Sequence, residues 1–280
     1  MTKGDPNCDG LVGPFFVIDL DGTLVRGRSV AAGADKLLQQ MRGRLVVVSN
    51  NSSHSVSDLA EELASAGLEL PPEKLILAGV VAVQVVARDH DGARVFLMGS
   101  ASLVREAERA GLNLVEDGAD VVLLARDEGF TYDKLSRAVN EIRRGASLVV
   151  SNPDLSHPGA SDLLVPETGA LLQAVIACVG AVPMRIIGKP EPHLFHEAMR
   201  RLGSSLQNSV VIGDNPETDI AGASRLGLPY LLLGAGPHAD AENLTELVER
   251  LAQDRQTLSA FPRLAASNAG VAVRIGRHVV

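Results

Sequence analysis

The stretch FFVIDLDGTLV, residues 15–25, brings two aspartates together at the end of an apolar run. The run FFVIDL (15–20) is typical of a buried β-strand, so the chain should leave that strand with Asp19 and Asp21 side by side. Two carboxylates this close repel each other unless a positive charge lies between them. An ordinary Asp-Gly turn also explains the pattern, whereas a calcium loop does not, because its later acidic positions are missing. The choice between a turn and a catalytic site therefore depends on the rest of the chain.

Short β-branched runs alternate with helical stretches along most of the chain. Strands that are apolar along their whole length and separated by helices are typical of parallel sheets covered on both faces. The pattern predicts an α/β fold, with a Rossmann-like parallel-sheet core and an inserted α/β domain. The predicted strands are 15–20, 44–51, 94–99, 120–125, 147–152, 184–188, 209–214 and 229–234, and the predicted helices include 32–42 and 57–68.

A block in the middle of the chain has its own strand-helix-strand order, which indicates an insertion between two halves of a core. We assign residues 1–79 to the first part of the core, 80–183 to the inserted domain and 184–255 to the second part of the core. Residues 1–12 are predicted to be disordered, and the Ala-, Gly- and Arg-rich tail 256–280 receives no structural assignment.

Composition disfavours several classes of function. The 280 residues carry a formal net charge of −8 without a Lys/Arg-rich stripe, so neither nucleic acid nor an anionic membrane surface is an expected partner. No apolar run approaches the ~20 residues that span a bilayer. Cys8 and Cys178 lie far apart and outside any CxxC motif, which argues against a zinc site or a disulfide framework. The start of the chain does not resemble a signal peptide, so we expect a cytoplasmic protein.

Two further segments place polar groups where a predicted strand ends. In VVVSNNS (46–52), Ser49 and Asn50 are good donors for phosphate oxygens, although a helix cap or a loop would use the same residues. In IIGKPEP (186–192), Lys189 lies between a buried strand and a proline, where its ammonium group could neutralise a phosphoryl group and nearby carboxylates. A solvated loop lysine is the alternative explanation for that position.

A fourth segment, VVIGDNPETDI (210–220), ends another predicted strand with Asp214 and adds Asp219 five residues later. Carboxylate oxygens of this kind suit Mg²⁺, which keeps several waters and takes one or two carboxylates. An Asp-capped helix start would give the same pattern. Because ligands of open α/β sheets bind outside the carboxyl ends of the strands, the four segments together predict one site assembled from distant parts of the chain.

The order and spacing of these four segments resemble the haloacid dehalogenase-like (HAD) phosphohydrolases. DLDGT matches the first motif of that family, SN the second, the Lys before Pro the third and GDNPETD the fourth. The phrases GKPEP and VSNPD and the middle block resemble the NagD / 4-nitrophenylphosphatase / phosphoglycolate phosphatase branch, which carries a large α/β cap. The resemblance covers roughly residues 14–235, and it implies that the inserted domain 80–183 is this cap.

The resemblance implies a division of labour between the two aspartates. Asp19 is then the nucleophile that forms an aspartyl-phosphate, and Asp21 is the general acid and base. Mg²⁺ is held by Asp19, by the main-chain carbonyl of Asp21 and by Asp214, while Asp219 acts through water or as an outer partner. Lys189 steadies Asp19 and the transferring phosphoryl group. The presence of Asp21 also favours phosphate esters over halides, because dehalogenation has no alcohol to protonate.

The resemblance also implies a set of substrate-binding residues around the phosphoryl group and in a substrate loop within 151–172. Arg126, Asp127 and His157 receive no assigned role. A homodimer formed through the cap is suggested by the resemblance alone. The candidate substrate-binding residues are Gly22, Thr23, Ser49, Asn50, Asn51, Asn152 and Asp154.

These observations lead to one main hypothesis and two alternatives. The main hypothesis is a Mg²⁺-dependent phosphatase that hydrolyses a small phosphorylated metabolite through an aspartyl-phosphate. A phosphoryl transferase or mutase would share that intermediate and differ only in the group that accepts the phosphoryl. A non-catalytic protein that binds a phosphorylated ligand would keep the fold, but the acidic residues and Lys189 argue against it.

Overall fold

The computed structural model describes residues 14–27, 29–158 and 163–253. The predicted disorder of 1–12 and the unassigned tail 256–280 therefore lie outside the described residues. The strands and helices, in chain order, are β1 (Phe15–Asp19), β2 (Val25–Arg26), β3 (Ser29–Val30), α1 (Ala34–Gln40), β4 (Leu45–Ser49), α2 (Val56–Ser65), β5 (Leu75–Leu77), α3 (Ala78–Asp89), β6 (Arg94–Met98), α4 (Ala101–Arg109), β7 (Asn113–Leu114), β8 (Val121–Leu124), α5 (Tyr132–Arg143), β9 (Ser147–Val150), β10 (Ser156–Pro158), β11 (Leu164–Pro166), α6 (Thr168–Val179), β12 (Met184–Ile186), α7 (His193–Leu202), β13 (Ser209–Gly213), α8 (Ala221–Leu226), β14 (Tyr230–Leu232) and α9 (Leu244–Gln253).

The described residues fall into two compact units. The first unit lies within 14–48, 66–69 and 195–253, and the second comprises 49–65 and the described part of 70–194. This division separates groups of contacting residues, whereas the boundaries inferred from the sequence separate a core from an insertion. Those sequence-based boundaries stay a prediction.

The first unit is built on parallel strands. β14, β13, β1 and β4 lie side by side in that order, with Ile18 beside Ile212 and Asp19 beside Val48. Every residue of β1, β4 and β13 is buried, as expected for strands whose two faces are both covered. Because the strands are parallel, their carboxyl ends meet at one edge of the sheet, where β1 ends in Asp19 and β13 leads into Asp214.

The second unit contains a separate parallel sheet, with the strand order β12-β9-β8-β6-β7. Apolar side chains of the central strands pack against α5 and α6, with Leu124 and Val150 meeting Ala138 and Val175 in one buried cluster. A short antiparallel hairpin, β10 and β11, precedes α6. The parallel α/β architecture predicted from the sequence is confirmed in both sheets. No helix in the described part of the chain is long and apolar enough to cross a membrane.

The predicted elements differ from the observed ones mainly at their ends. The strands predicted at 15–20 and 209–214 each end one residue earlier, at Asp19 and Gly213. The predicted helices 32–42 and 57–68 correspond to the shorter α1 and α2. The short strands β7 and β10 are absent from the prediction, because so few residues carry no periodic signal.

Glu141 of α5 is a charged side chain inside the second unit, where its side chain is only 2% exposed. Its carboxylate accepts hydrogen bonds from the N–H groups of Gly118 (2.8 Å) and Ala119 (3.1 Å) and from Arg144 Nη1 (2.6 Å). Burial alone raises the pKa of Glu141. The bonds from Gly118 and Arg144 outweigh that effect, so its pKa lies below its ordinary value of 4.5.

We predict that Glu141→Gln destabilises the second unit. The substitution points an amide N–H group at a backbone donor and leaves a buried group unsatisfied, which should lower the free energy of unfolding by about 1–3 kcal/mol at neutral pH. Urea denaturation of this variant is compared with that of Glu108→Gln, a control at an exposed position of α4.

The same pair of proteins tests the titration of Glu141. Folding lowers the pKa of Glu141, so the carboxylate contributes fully to folding stability at a pH above its pKa in the unfolded chain. That contribution is lost as the pH falls through its pKa in the folded protein. The stability difference between the wild type and Glu141→Gln should therefore shrink in acid. A difference that is independent of pH would contradict this assignment.

Candidate active site

Three carboxylates of the first unit converge at the carboxyl ends of β1 and β13. Asp19 ends β1, Asp214 follows β13, and Asp219 lies in the π-helical turn Pro216–Ile220. One ligand oxygen from each of the three lies within 4.8 Å of the others. Asp19 and Asp219 are buried, at 5% and 1% exposure. The structure thus brings together residues that are distant in sequence, in agreement with the sequence-based expectation that they meet at a sheet edge.

The turn after β13 fixes the position of Asp219. The Asn215 side chain caps the turn by accepting a bond from the Glu217 N–H (2.9 Å), and the Asp219 N–H donates to the Asn215 carbonyl (3.0 Å). In return, Asp219 Oδ2 accepts a bond from the Asn215 N–H (3.2 Å). A Cβ atom at Gly213 would overlap the Asp219 carboxylate, so only glycine leaves room for that side chain.

The Asp-Gly turn after β1 packs against Asp214. Gly22 has a φ of +93°, which L side chains rarely adopt, and a Cβ atom there would overlap the Asp214 carboxylate. Thr23 is buried and its Oγ1 donates to Asp214 Oδ1 at 3.4 Å. Asp21 itself is exposed. The structure therefore places Gly22 and Thr23 beside a candidate metal ligand, and their contact with substrate stays a prediction.

The three carboxylates fit a hard divalent cation. Their donors are all oxygens, the ligand type that Mg²⁺ and Ca²⁺ take, and the set contains no imidazole or thiolate that would favour zinc. Three negative side chains at this spacing also repel one another, and a cation between them would offset that repulsion. Asp19, Asp214 and Asp219 are therefore the described residues that could hold a metal ion.

The remaining predicted polar residues gather in the second unit, around the loop after β4. Ser49 is fully buried, and its Oγ accepts a bond from the Asn51 N–H (3.0 Å). The Asn51 side chain stays local, because its Oδ1 accepts the N–H groups of Ser53 and His54, both at 3.1 Å. Asn51 therefore shapes the turn that leads into α2, and its predicted contact with substrate stays a prediction.

Asn50 connects this loop to two other segments of the second unit. Its Oδ1 accepts a bond from the Lys189 N–H (2.7 Å), and its Nδ2 donates to the Lys189 carbonyl (3.1 Å) and to Asp154 Oδ2 (3.0 Å). Lys189 is only 4% exposed. Asn50 thus contacts both Lys189 and Asp154, although the three residues belong to separate sequence motifs.

Asn152 is fully buried and forms hydrogen bonds to the loop that contains Asn50. Its Nδ2 lies within hydrogen-bond distance of the Asn50 carbonyl (2.8 Å), Ser52 Oγ (3.1 Å) and Thr168 Oγ1 (3.2 Å). Its Oδ1 accepts a bond from the Asp154 N–H (3.1 Å). Sequence reasoning missed Ser52 and Thr168, because buried hydroxyls that meet across 116 positions carry no local signal.

Arg126 and His157 share one carboxylate, that of Glu167. Glu167 Oε1 lies 2.8 Å from His157 Nδ1 and 3.4 Å from Arg126 Nη1, and Arg126 Nη2 donates to Glu128 at 2.8 Å. Burial raises the pKa of Glu167 above its ordinary value of 4.5, although Arg126 and His157 oppose the shift. Asp127, by contrast, is tied to Lys134 Nζ at 2.6 Å, which indicates a structural role in the loop before α5.

Comparisons with known proteins agree with this arrangement. A family model described as haloacid dehalogenase-like hydrolase matches residues 16–113, and a second, described as HAD-hydrolase-like, matches 186–256. The 5′-nucleotidase YutF of Bacillus subtilis is 30% identical over 238 residues, which cover 84% of this chain and 92% of that protein. The two family matches contain both strand ends that carry the clustered carboxylates.

Solved structures with the same fold include two proteins described as phosphatases. The p-nitrophenyl phosphatase from Archaeoglobus fulgidus has a TM-score of 0.77 at 26% identity and covers 85% of this chain and 99% of its own. The glycerol phosphate phosphatase from Mycobacterium tuberculosis, solved in complex with magnesium, has a TM-score of 0.74 at 33% identity and covers 81% of this chain and 69% of its own.

We predict that the carboxylate cluster binds a divalent cation without any substrate. Asp214→Asn should weaken Mg²⁺ binding by at least about tenfold, because loss of a ligand should cost no less than loss of an outer partner. Calorimetric titration with Mg²⁺ and Mn²⁺ measures the affinity. Asp35→Asn, at an exposed position of α1, is the matched control. Equal affinities for the two variants would show that Asp214 is not a ligand.

Proposed function

Because the chain belongs to the haloacid dehalogenase-like hydrolases, we propose that it is a Mg²⁺-dependent phosphatase that hydrolyses a small phosphorylated metabolite. A p-nitrophenyl phosphatase shares its fold, and the relatives it matches include a dihydroxyacetone phosphatase and a 5′-nucleotidase. The observation that carries the proposal is the convergence of Asp19, Asp214 and Asp219 at the ends of β1 and β13. Hydrolysis of a phosphate ester needs a cation site and a nucleophile at one place, and the carboxylates of this cluster can provide both.

The metal is proposed to be held by Asp19, Asp214 and the main-chain carbonyl of Asp21, with Asp219 as a ligand or as an outer partner. The oxygen-only donor set supports Mg²⁺. When bound, the ion lowers the negative charge that a phosphate group would otherwise meet among these carboxylates. The remaining chemistry belongs to side chains of the protein.

Asp19 is proposed as the nucleophile. An oxygen of its carboxylate attacks phosphorus, and the bond between phosphorus and the leaving alcohol breaks, which gives an aspartyl-phosphate. Water then attacks phosphorus, the bond to Asp19 breaks, and inorganic phosphate leaves with the carboxylate restored. The position of Asp19 at the end of a buried strand supports this role, because the strand leaves its carboxylate little freedom to move.

Asp21 is proposed as the general acid and base. It gives its proton to the oxygen of the leaving alcohol, and it then takes a proton from the attacking water. Its exposure supports the role, since a group that exchanges protons with a leaving group and with water must be accessible. The backbone φ of +93° at Gly22 turns the chain directly after Asp21.

Lys189 and Ser49 are proposed to bind the transferring phosphoryl group. The near-complete burial of Lys189 supports this role, because an ammonium group with little access to water gains most from anionic partners. Ser49 supplies a hydroxyl from the last residue of β4, directly after Val48, the register partner of Asp19. A cytoplasmic location stays a proposal that rests on the sequence. A homodimer formed through the cap stays a proposal that rests on the family resemblance.

We predict that Asp19→Asn abolishes turnover and leaves the fold intact. The amide is a poor nucleophile of nearly the same size, so kcat should fall by roughly 10⁴-fold or more while the melting temperature changes little. Release of inorganic phosphate from 4-nitrophenyl phosphate measures the activity. Substantial hydrolysis by a folded Asp19→Asn protein would rule out the covalent route.

We predict that the effect of Asp21→Asn depends on the leaving group. Loss of a general acid should lower kcat/KM, which reports the step that releases the alcohol, by about 10²–10⁴-fold for an alkyl phosphate, whose alkoxide cannot leave without a proton. The loss should be clearly smaller for 4-nitrophenyl phosphate, because nitrophenolate leaves without protonation. Steady-state kinetics with both esters make the comparison, and equal losses would remove Asp21 from the acid role.

A further inference from the structure

The side-chain amide of Asn50 donates both of its N–H groups to other protein groups. Both of its N–H hydrogens are donated, one to Asp154 Oδ2 at 3.0 Å and one to the Lys189 carbonyl at 3.1 Å. Its Oδ1 accepts the Lys189 N–H at 2.7 Å, the shortest of the three distances. A phosphate oxygen accepts hydrogen bonds, so the Asn50 amide could contact one only after breaking an existing bond.

The two hydrogen bonds from Asn50 restrain the Lys189 backbone on both sides of its Cα atom. The N–H and the C=O of a single residue are bound by a single amide, which restrains the position of that Cα and the direction in which the side chain leaves it. A lysine side chain has several rotatable bonds, so a fixed backbone is the first requirement for placing its ammonium group. Asn50 therefore restrains the residue with the cationic role in the proposed reaction.

The surroundings of Asn50 hold the amide in this orientation. Asn152 donates to the Asn50 carbonyl at 2.8 Å and is itself fully buried. Gly188 leaves room for the contact, because a Cβ atom there would lie 2.7 Å from Asn50 Oδ1 and 2.8 Å from the Cβ of Asn152. The close packing at Gly188 keeps the Asn50 amide against the Lys189 backbone.

We propose that Asn50 is a positioning residue that acts through Lys189, rather than a ligand of the phosphoryl group. The inference rests on the proposed function, because the positioned group is the lysine of the phosphatase reaction. It revises the role expected for Asn50 from the sequence, where an amide after Ser49 was assigned to the phosphate. Asn50 serves catalysis by holding the ammonium group where negative charge develops in the transition state.

The decisive experiment is a double-mutant cycle between Asn50→Ala and Lys189→Ala. A misplaced catalytic group costs about 10²-fold, so Asn50→Ala alone should lower kcat by that factor. The inhibition constant of inorganic phosphate should rise no more than it does in Lys189→Ala, because Asn50 acts on phosphate only through that lysine. In the Lys189→Ala background, Asn50→Ala should have almost no further effect on kcat, since the residue that it positions is gone.

The opposite results are equally definite. If Asn50→Ala lowers kcat by the same factor with and without Lys189, or if it weakens phosphate inhibition further in the Lys189→Ala background, Asn50 contacts the phosphoryl group directly and the proposal fails. Asn140→Ala, at an exposed position of α5 where the side-chain amide donates to the Ser136 carbonyl, is the control and should keep the wild-type kcat. Asn50→Asp keeps the acceptor for the Lys189 N–H and replaces Asn50→Ala in the cycle if the latter does not fold.

A second measurement does not depend on activity. Hydrogen exchange at the Lys189 amide should be faster in Asn50→Ala than in the wild type, because that N–H loses its acceptor. Unchanged exchange would contradict the positioning role even if activity fell. If the wild-type protein releases no phosphate from any phosphomonoester, the proposed function fails, whereas the restraint on Lys189 is still decided by exchange.

Discussion

Asp19, Asp214 and Asp219 offer oxygens within 4.8 Å of one another, and their mutual repulsion is the constraint around which the first unit is organised. The parallel pairing of β1 with β13 sets the spacing, because Ile18 lies beside Ile212 and both strands end at the same edge. Acidic residues at the ends of two neighbouring strands repel each other. A cation bound among them would offset this repulsion and would supply the chemistry proposed for the cluster.

Glycine backbones complete the arrangement of the carboxylates. Gly22 approaches Asp214 and Gly213 approaches Asp219 so closely that any Cβ atom at either position would overlap a carboxylate. The acidic groups are thus positioned by main chain as well as by their own rotamers. Lys189 is held in a comparable way, since the Asn50 amide binds both the N–H and the C=O of its backbone. Restraint through the main chain leaves catalytic side chains available for ligands.

The sequence was sufficient to predict the parallel sheets and the acidic cluster, because both leave local signals. A fully apolar run such as FFVI is recognisable as a buried strand, and an aspartate at its end marks a sheet edge. It was not sufficient for the contacts of Asn50, whose partner Lys189 lies 139 positions away. An Asn after a Ser reads equally well as a ligand, a cap or a turn residue, and only the three-dimensional partners separate these roles. The same holds for Ser52 and Thr168, whose buried hydroxyls meet across 116 positions.

The pairing of β1 with β13 has a consequence for the synthesis of the protein. Thr23 and Asp214, which bond to each other in the finished site, are separated by 191 positions of chain. During synthesis on the ribosome, β1 emerges long before β13, so this apolar strand lacks one of its two neighbouring strands for most of translation. A nascent chain that stops short of β13 lacks Asp214 and Asp219 of the carboxylate cluster, and one edge of β1 stays unpaired until residues 209–213 have been translated.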